Sequence, residues 1–355
     1  MVRTKVERRA PNSFNRLNVL LLMNRLIIIF FCVSFSFSTR AQETNTFYEL
    51  GKKYLTQSDF ANAETNLIKA LESDSNNIQI KKDLSLCLIY NKKYNKALSI
   101  LSPLISNDSL MDVQCYQIAG NAYKGLKQLD LCDSLYLQAL KKFPHDGAVH
   151  NEIGELLAMQ NNALCIDYWE KGIKVDPDYA PNYYHATKYY FQNNNMPWCL
   201  LYGEIFVNLD SYSLKTTEIK EILLKGQKSF FTNLNQEVSP KSFSAFEQKF
   251  INCFYNQKID SSLSINETSL TMLRTRFVLN WFNDEVFPAP FQLFDFHRQL
   301  LREGLFDAYH QWLFGATESL VSFQRWTHLH DVEYNAFIKF QSRYIFKIPN
   351  GQYYH

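Results

Sequence analysis

The stretch that decides the fold is YQIAGNAY, residues 116–123. Its aromatic, aliphatic and small residues recur in near copies on both sides, about every 34 residues. One series of small residues has intervals of 34, 35, 34 and 33: Gly51, Ser85, Gly120, Gly154 and Thr187. A second has intervals of 34, 35, 33 and 34: Ala63, Ala97, Cys132, Cys165 and Cys199. Two series in register indicate an internal repeat.

Each copy has the pattern of a helical hairpin. Large apolar residues recur at the i, i+3, i+4, i+7 spacing of a buried helix face. The small residues allow the two helices of a copy to approach closely, and Pro144 and Pro177 end the second helix of their copies. Because one hairpin cannot bury its own apolar face, neighbouring hairpins must stack.

These spacings resemble the tetratricopeptide repeat, a helix–turn–helix unit of 34 residues. The resemblance covers 44–213 and implies an all-α fold, a right-handed α-solenoid of about five repeats. The predicted repeats are 44–77, 78–112, 113–146, 147–179 and 180–213.

The resemblance also implies a binding site, since family members usually bind a peptide or a partner's helix along the concave face. Carried over to this chain, the first helices would line that groove with Tyr48, Lys52, Lys82, Gln117, Asn121, Lys124, Asn151, Tyr184 and Lys188. Lysines and amides are similar to the carboxylate clamp of some chaperone-binding members, without reproducing it in full. The alternative is an ordinary solvated surface.

Three cysteines stand at equivalent repeat positions: Cys132, Cys165 and Cys199. Equivalent points of stacked repeats lie about 10 Å or more apart, whereas a disulfide needs Cα atoms within about 7 Å. We therefore interpret these residues as small core fillers.

The N-terminus has the pattern of a secretory signal peptide, residues 1–41. A basic region precedes an apolar run of 12 residues, Leu26 to Phe37, which is short of the roughly 20 that span a membrane. Translation starts at Met1 or at Met23. We expect export to the periplasm or cell envelope; the alternative is an uncleaved N-terminal anchor. No membrane span is expected after cleavage.

Without this segment the chain is mildly acidic. Residues 1–41 hold seven Lys/Arg and one acid, which leaves 37 − 7 = 30 basic and 35 − 1 = 34 acidic residues, a net charge of −4. An acidic surface disfavours nucleic acid as a partner.

The region 214–355 is predicted to form a separate helical domain rich in aromatic residues, 27 among 142. Helices are expected over Ser264–Asp284 and Val332–Phe346, with IPNGQYYH (348–355) as a tail. Pro290 to Phe323 has the spacing of either a degenerate repeat or an unrelated helical hairpin. Tyr309 departs from the repeat pattern, because a small residue belongs there.

The same region contains the only candidates for catalysis. His328 and His330 are two residues apart and point in different directions on a helix, so they cannot share a metal ion there. The histidines and acids of 293–315 do not converge at any helical spacing. No common catalytic or nucleotide-binding motif is present. We therefore predict no catalytic, metal or cofactor site.

The leading hypothesis is a non-catalytic adaptor that binds a protein or peptide partner through the groove, the C-terminal domain, or both. A second hypothesis is an enzyme with its chemistry in the C-terminal domain, at His297, Glu303, Asp307 and His310, and with repeats that recruit substrate. A third is a membrane-tethered assembly factor that keeps its N-terminal helix.

Overall fold

The computed structural model describes residues 44–234, 244–255, 257, 265–283 and 289–355. The predicted signal peptide lies outside these residues, and so do the ends of the helix predicted over 264–284. The described residues form helices and turns without any strand. The prediction of an all-α fold is therefore confirmed.

The chain divides into two compact units, Met1–Gln128 and Leu129–His355. Helices of the first unit are α1 (44–56), α2 (Phe60–Ser73), α3 (Ile78–Tyr90), α4 (Tyr94–Ile105) and α5 (Val113–Gly125), with a short 3-10 turn at Asp108–Leu110. The core of this unit includes Ala63, Leu67, Leu84, Cys87 and Ala97.

The second unit begins with the second helix of the predicted repeat 113–146, continues with the hairpins of the next two predicted repeats and ends with further helices. The first six are α6 (Leu129–Lys142), α7 (Gly147–Met159), α8 (Cys165–Val175), α9 (Ala180–Gln192), α10 (Met196–Leu209) and α11 (Leu214–Asn233). The others are α12 (Ala245–Tyr255), α13 (Glu267–Asn283), α14 (Gln292–Arg302), α15 (Phe306–His310), α16 (Ala316–Glu318), α17 (Leu320–Leu329) and α18 (Asp331–Gln341). A π-helical turn, Gln311–Gly315, joins α15 to α16.

The first helix of every predicted repeat ends in the same left-handed turn. The turn residues have φ of 55–58° and recur at 34, 35, 34 and 33 residues: Ser58, Lys92, Lys127, Asn161 and Asn194. After each, the next backbone N–H donates to the carbonyl five residues back, as in Asp59 to Tyr54. This Schellman geometry ends a helix and reverses the chain.

A sixth copy of this turn stands between α14 and α15. Gly304 has φ of 69°, and the N–H of Leu305 donates to the carbonyl of Leu300 at 2.8 Å. The turn favours the degenerate repeat over the unrelated hairpin for this part of the chain.

The small residues have the role that their spacing predicts. A Cβ atom added to Gly51 would lie 2.7 Å from the side chain of Leu67, and one added to Gly154 would lie 2.3 Å from Trp169 Nε1. Cys132, Cys165 and Cys199 are buried thiols, which confirms their interpretation as core fillers.

One hydrophobic core extends through the second unit from Cys165 to Ile348 and includes residues on both sides of position 213. The last helix ends at Gln341, earlier than predicted. Residues 344–355, which we call the C-terminal strap, are packed rather than free. The Ile348 N–H donates to Asp178 Oδ1 at 3.0 Å, and the Tyr354 ring stacks on Phe246 with centroids 4.6 Å apart.

Candidate functional site

In the first unit, the predicted groove residues lie on the first helices, and several already hold a carboxylate of the same chain. Tyr48 Oη donates to Asp83 Oδ2 at 2.7 Å. Lys82 Nζ lies 2.8 Å from Asp112 Oδ2, and its side chain is only 8% exposed. Lys52 is exposed and 3.5 Å from Glu49. Three further predicted groove residues are partly buried along one face of α5: Gln117, Asn121 and Lys124.

The predicted groove residues of the second unit also contact carboxylates of their own chain. Tyr184 Oη donates to Glu218 Oε2 at 2.5 Å, and Lys188 Nζ lies 2.7 Å from Glu218 Oε1. Asn151 is buried, and its amide donates to Glu155 at 3.1 Å.

These contacts restrict what the predicted clamp can bind. Lys82 on α3 is paired with Asp112, the N-cap of α5, and Lys188 on α9 is paired with Glu218 on α11. A peptide carboxylate would have to displace those side chains before it could bind either lysine. Partner binding by these nine groove residues stays a prediction.

A buried charged cluster lies deeper in the second unit. Glu204, on α10, receives three donors from elsewhere in the chain: Arg274 on α13, His297 on α14 and Tyr309 on α15. The His297 Nε2 and Tyr309 Oη atoms lie 2.8 and 2.7 Å from Glu204 Oε1, and the Arg274 guanidinium contacts the same oxygen. All four side chains are buried. We call this set the Glu204 cluster.

The charges of the Glu204 cluster follow from this arrangement. Burial alone would raise the pKa of Glu204, but the charge of Arg274 and then that of His297 outweigh burial and hold the pKa well below its usual range. Burial lowers the pKa of His297 despite the neighbouring carboxylate. Because a carboxylate only accepts hydrogen bonds, His297 must carry a proton on Nε2. The cluster is thus an Arg–Glu ion pair with two further hydrogen-bond donors, His297 and Tyr309.

Of the four residues in the enzyme hypothesis, one belongs to this cluster, His297. Glu303 and Asp307 are exposed, while His297 and His310 are buried. Among the described residues, neither ring nitrogen of His310 finds a hydrogen-bond partner, and burial holds the pKa of His310 well below the usual value. The adjoining cavity is about 20 Å³, where a single water needs roughly 10–15 Å³. It therefore has room for a water molecule and none for a substrate.

The prediction about the histidines and acids of 293–315 concerned their spacing within this stretch alone. His297 does meet an acid, but that acid is Glu204, 93 residues earlier in the chain. Sequence reasoning missed Glu204 and Arg274, because no local spacing relates residues 70 positions apart. Within the described ranges, no group of three or more His, Cys, Asp or Glu residues could hold a metal ion.

The second unit contains another buried carboxylate, Glu170 on α8. It accepts hydrogen bonds from Tyr190 at 2.6 Å and from Tyr202 at 2.7 Å. The strap completes this site, since His355 Nε2 lies 2.8 Å from Tyr190 Oη. Burial raises the pKa of Glu170 even though these partners oppose the shift. The site therefore fastens the strap to α8 and α9.

Among the residues that the structure describes, no helix combines the length and the apolarity that a membrane crossing needs.

Comparison with known proteins gives distant likenesses to solved structures. No protein family matches the chain, and no curated protein matches it. A crystal structure of MamA protein is similar at 16% identity and a TM-score of 0.36, over 56% of this chain and 98% of that one. PilF of Pseudomonas aeruginosa is similar at 16% identity and a TM-score of 0.40, over 62% of this chain and 98% of PilF. Neither likeness extends to function at these scores.

Proposed function

We propose that this protein is a non-catalytic adaptor of the bacterial cell envelope that binds a protein or peptide partner. The observation that carries the proposal is the series of helical hairpins with identical turns, recurring every 33 to 35 residues. Such hairpins are interaction scaffolds that present the side chains of successive helices as one extended surface. Envelope location rests on the N-terminal pattern of residues 1–41.

The chemistry of the buried polar groups supports a non-catalytic role. The Glu204 carboxylate is occupied by three donors, and the space beside it is water-sized. A general acid or base must reach the proton that it transfers. The acids of the enzyme hypothesis, Glu303 and Asp307, are exposed, whereas its histidines, His297 and His310, are buried.

Site-specific photo-crosslinking in growing cells tests the proposal. A photoreactive amino acid is placed at Asn121, on the predicted groove face of α5, and at Thr65, an exposed control position on α2. We expect one discrete protein adduct from Asn121 that is absent from Thr65. Adducts of equal yield and pattern at both positions, or none at Asn121 and at the equivalent Lys188, would contradict groove binding.

Fractionation and mass spectrometry test the envelope part separately. We expect the chain in the periplasmic or envelope fraction, beginning near Gln42. A chain that keeps residues 1–41 would instead support the membrane-tethered alternative, and a chain in the cytoplasmic fraction would contradict export.

A further inference from the structure

A second concave surface in the second unit lies outside the predicted groove of the repeats. It is a pocket of about 240 Å³ between the end of α10, the middle of α14, the end of α18 and the residues that follow α18. Its lining is mainly aromatic and aliphatic, and includes Leu209, Tyr212, Phe296, Phe340, Tyr344 and Ile345. We call it the Phe296 pocket.

The floor of the Phe296 pocket is a stack of aromatic rings. The Tyr344 ring lies 5.2 Å from both Phe296 and Phe340, and the Phe346 ring meets Phe296 edge-on at 5.4 Å. A cavity of about 150 Å³ is large enough to bind benzene. The Phe296 pocket therefore has room for one aromatic or branched aliphatic side chain.

The floor is also fixed in place. Asn208 lines the pocket, and its amide donates to the backbone carbonyl of Glu204 at 2.8 Å and to Tyr309 Oη at 2.9 Å. Tyr309 in turn donates to the Glu204 carboxylate. The Glu204 cluster thus holds one wall of the pocket, and a preformed site loses less entropy on binding than a mobile one.

The rim of the pocket leaves large apolar side chains in water. Tyr212 is 81% exposed and Ile345 is 75% exposed, and Leu214 nearby is 92% exposed. Single exposed apolar residues are ordinary, but several beside an aromatic pocket are typical of an interaction surface.

The charge around the rim is positive. Lys339, Arg343 and Lys347 are exposed, stand within two residues of a lining residue, and have no ion pair in the described chain. Two acids stand equally near. Asp295 pairs with Arg298, and Asp210 Oδ1 accepts the Ser213 N–H and keeps its charge, so the basic residues still outnumber the acids. An acidic occupant would complement this rim.

We propose that the Phe296 pocket binds an acidic peptide segment of a partner protein, which inserts one aromatic or branched aliphatic side chain between Tyr212 and Ile345. This inference rests on the proposed adaptor function and adds the binding surface and the chemistry of the ligand. Carboxylates that flank the inserted residue lie against Lys339, Arg343 and Lys347. The pocket gives affinity by apolar burial, and the basic rim selects for acidic sequence.

The test uses the full chain and a phage-displayed library of random 12-residue peptides. Enriched sequences are synthesised with a fluorescent label, and their affinities are measured by anisotropy. One variant reverses the rim charge (Lys339→Glu, Arg343→Glu, Lys347→Glu), and a second fills the pocket (Ser211→Trp). A matched control reverses three exposed charges elsewhere in the unit (Lys141→Glu, Lys171→Glu, Arg302→Glu). Thermal melts establish that every variant is folded.

We expect enriched peptides to combine an aromatic or branched aliphatic residue with at least two acids. Rim reversal and pocket filling should each weaken binding about tenfold or more, and the control by less than about twofold. Raising salt should weaken binding to the wild type more than to the rim variant.

Two results would overturn the inference. Enriched peptides that bind the rim and pocket variants as tightly as the wild type would place peptide binding elsewhere and leave the adaptor function intact. Absence of any enrichment would reject the pocket as a peptide site, while the adaptor function would still be judged by crosslinking at Asn121 and Lys188.

Discussion

His297 and Tyr309 bind the same oxygen of Glu204, and each stands where the repeat pattern requires a small residue. His297 precedes the turn residue Gly304 by seven positions, as Gly51 precedes Ser58. Tyr309 follows Gly304 by five positions, as Ala63 follows Ser58. The sixth hairpin therefore keeps the turn of the repeats but replaces close helix contact with a buried polar cluster.

The Glu204 cluster should dominate the stability of the second unit. Glu204→Leu removes the acceptor and leaves the Arg274 charge buried without its partner. We expect a loss of about 3–5 kcal/mol in the free energy of unfolding, measured by urea denaturation. As a control, Glu218→Gln breaks a solvent-exposed ion pair with Lys188 and should cost less than about 1 kcal/mol. Similar losses in the two variants would contradict this ranking.

Stability should fall as the pH falls below about 6.5, the ordinary histidine pKa. Burial lowers the pKa of both His297 and His310 in the folded chain. The unfolded chain therefore takes up protons first as the pH falls, which favours unfolding. The urea midpoint should decrease from pH 7 to pH 5, and His310→Phe should make that decrease shallower. An unchanged slope in the variant would argue against His310 as a source.

The left-handed turns provide a pair of opposite predictions. Lys92 has φ of 58°, so Lys92→Gly should stabilise the chain by about 0.5–1 kcal/mol. Gly304 has φ of 69°, and an added Cβ atom would meet nothing within 4 Å. Gly304→Ala should therefore cost about 1 kcal/mol through the backbone alone. Gly304→Asn should cost less than alanine, since asparagine tolerates this conformation. Calorimetry measures all three changes.

Gly154→Ala tests the close approach of α7 and α8. On an exposed helix this change would stabilise by about 1 kcal/mol. Here the new Cβ atom would lie 2.3 Å from Trp169 Nε1, so we expect a loss of about 1–3 kcal/mol in thermal or urea unfolding. Trp169→Phe removes the atoms in conflict, and the double variant should recover part of the loss. Purely additive effects would show that the two positions do not interact.

Features that repeat along the chain could be predicted from sequence, because they depend on residues a fixed distance apart. Gly51 and Gly154 revealed the helical hairpins, and Cys132 was correctly interpreted as a core filler. The same spacing gave no sign that Lys82 and Lys188 hold carboxylates of their own chain.

Features that depend on a contact between residues far apart in the sequence, and that occur only once, could not be predicted. Glu204 meets Arg274 and Tyr309 across 70 and 105 residues, and neither interval belongs to a repeat. The strap lacks helical periodicity, so its sequence indicated a tail. The packing of its tyrosines depends on the surface of the folded core, which the sequence of the strap does not reveal. Tyr354, for example, stacks on Phe246.

The strap also determines the order in which the chain can fold. Ile348 bonds to Asp178 across 170 residues, and His355 to Tyr190 across 165. A helical hairpin can form from contacts within its own repeat of about 34 residues. The strap contacts instead bring together residues that are far apart in the sequence, and such long-range contacts form slowly. During synthesis the first unit can be complete while the aromatic core of the second still lacks its final side chains. Over that interval the second unit exposes aromatic surface that the strap later covers, and exposed apolar surface favours aggregation of the newly made chain.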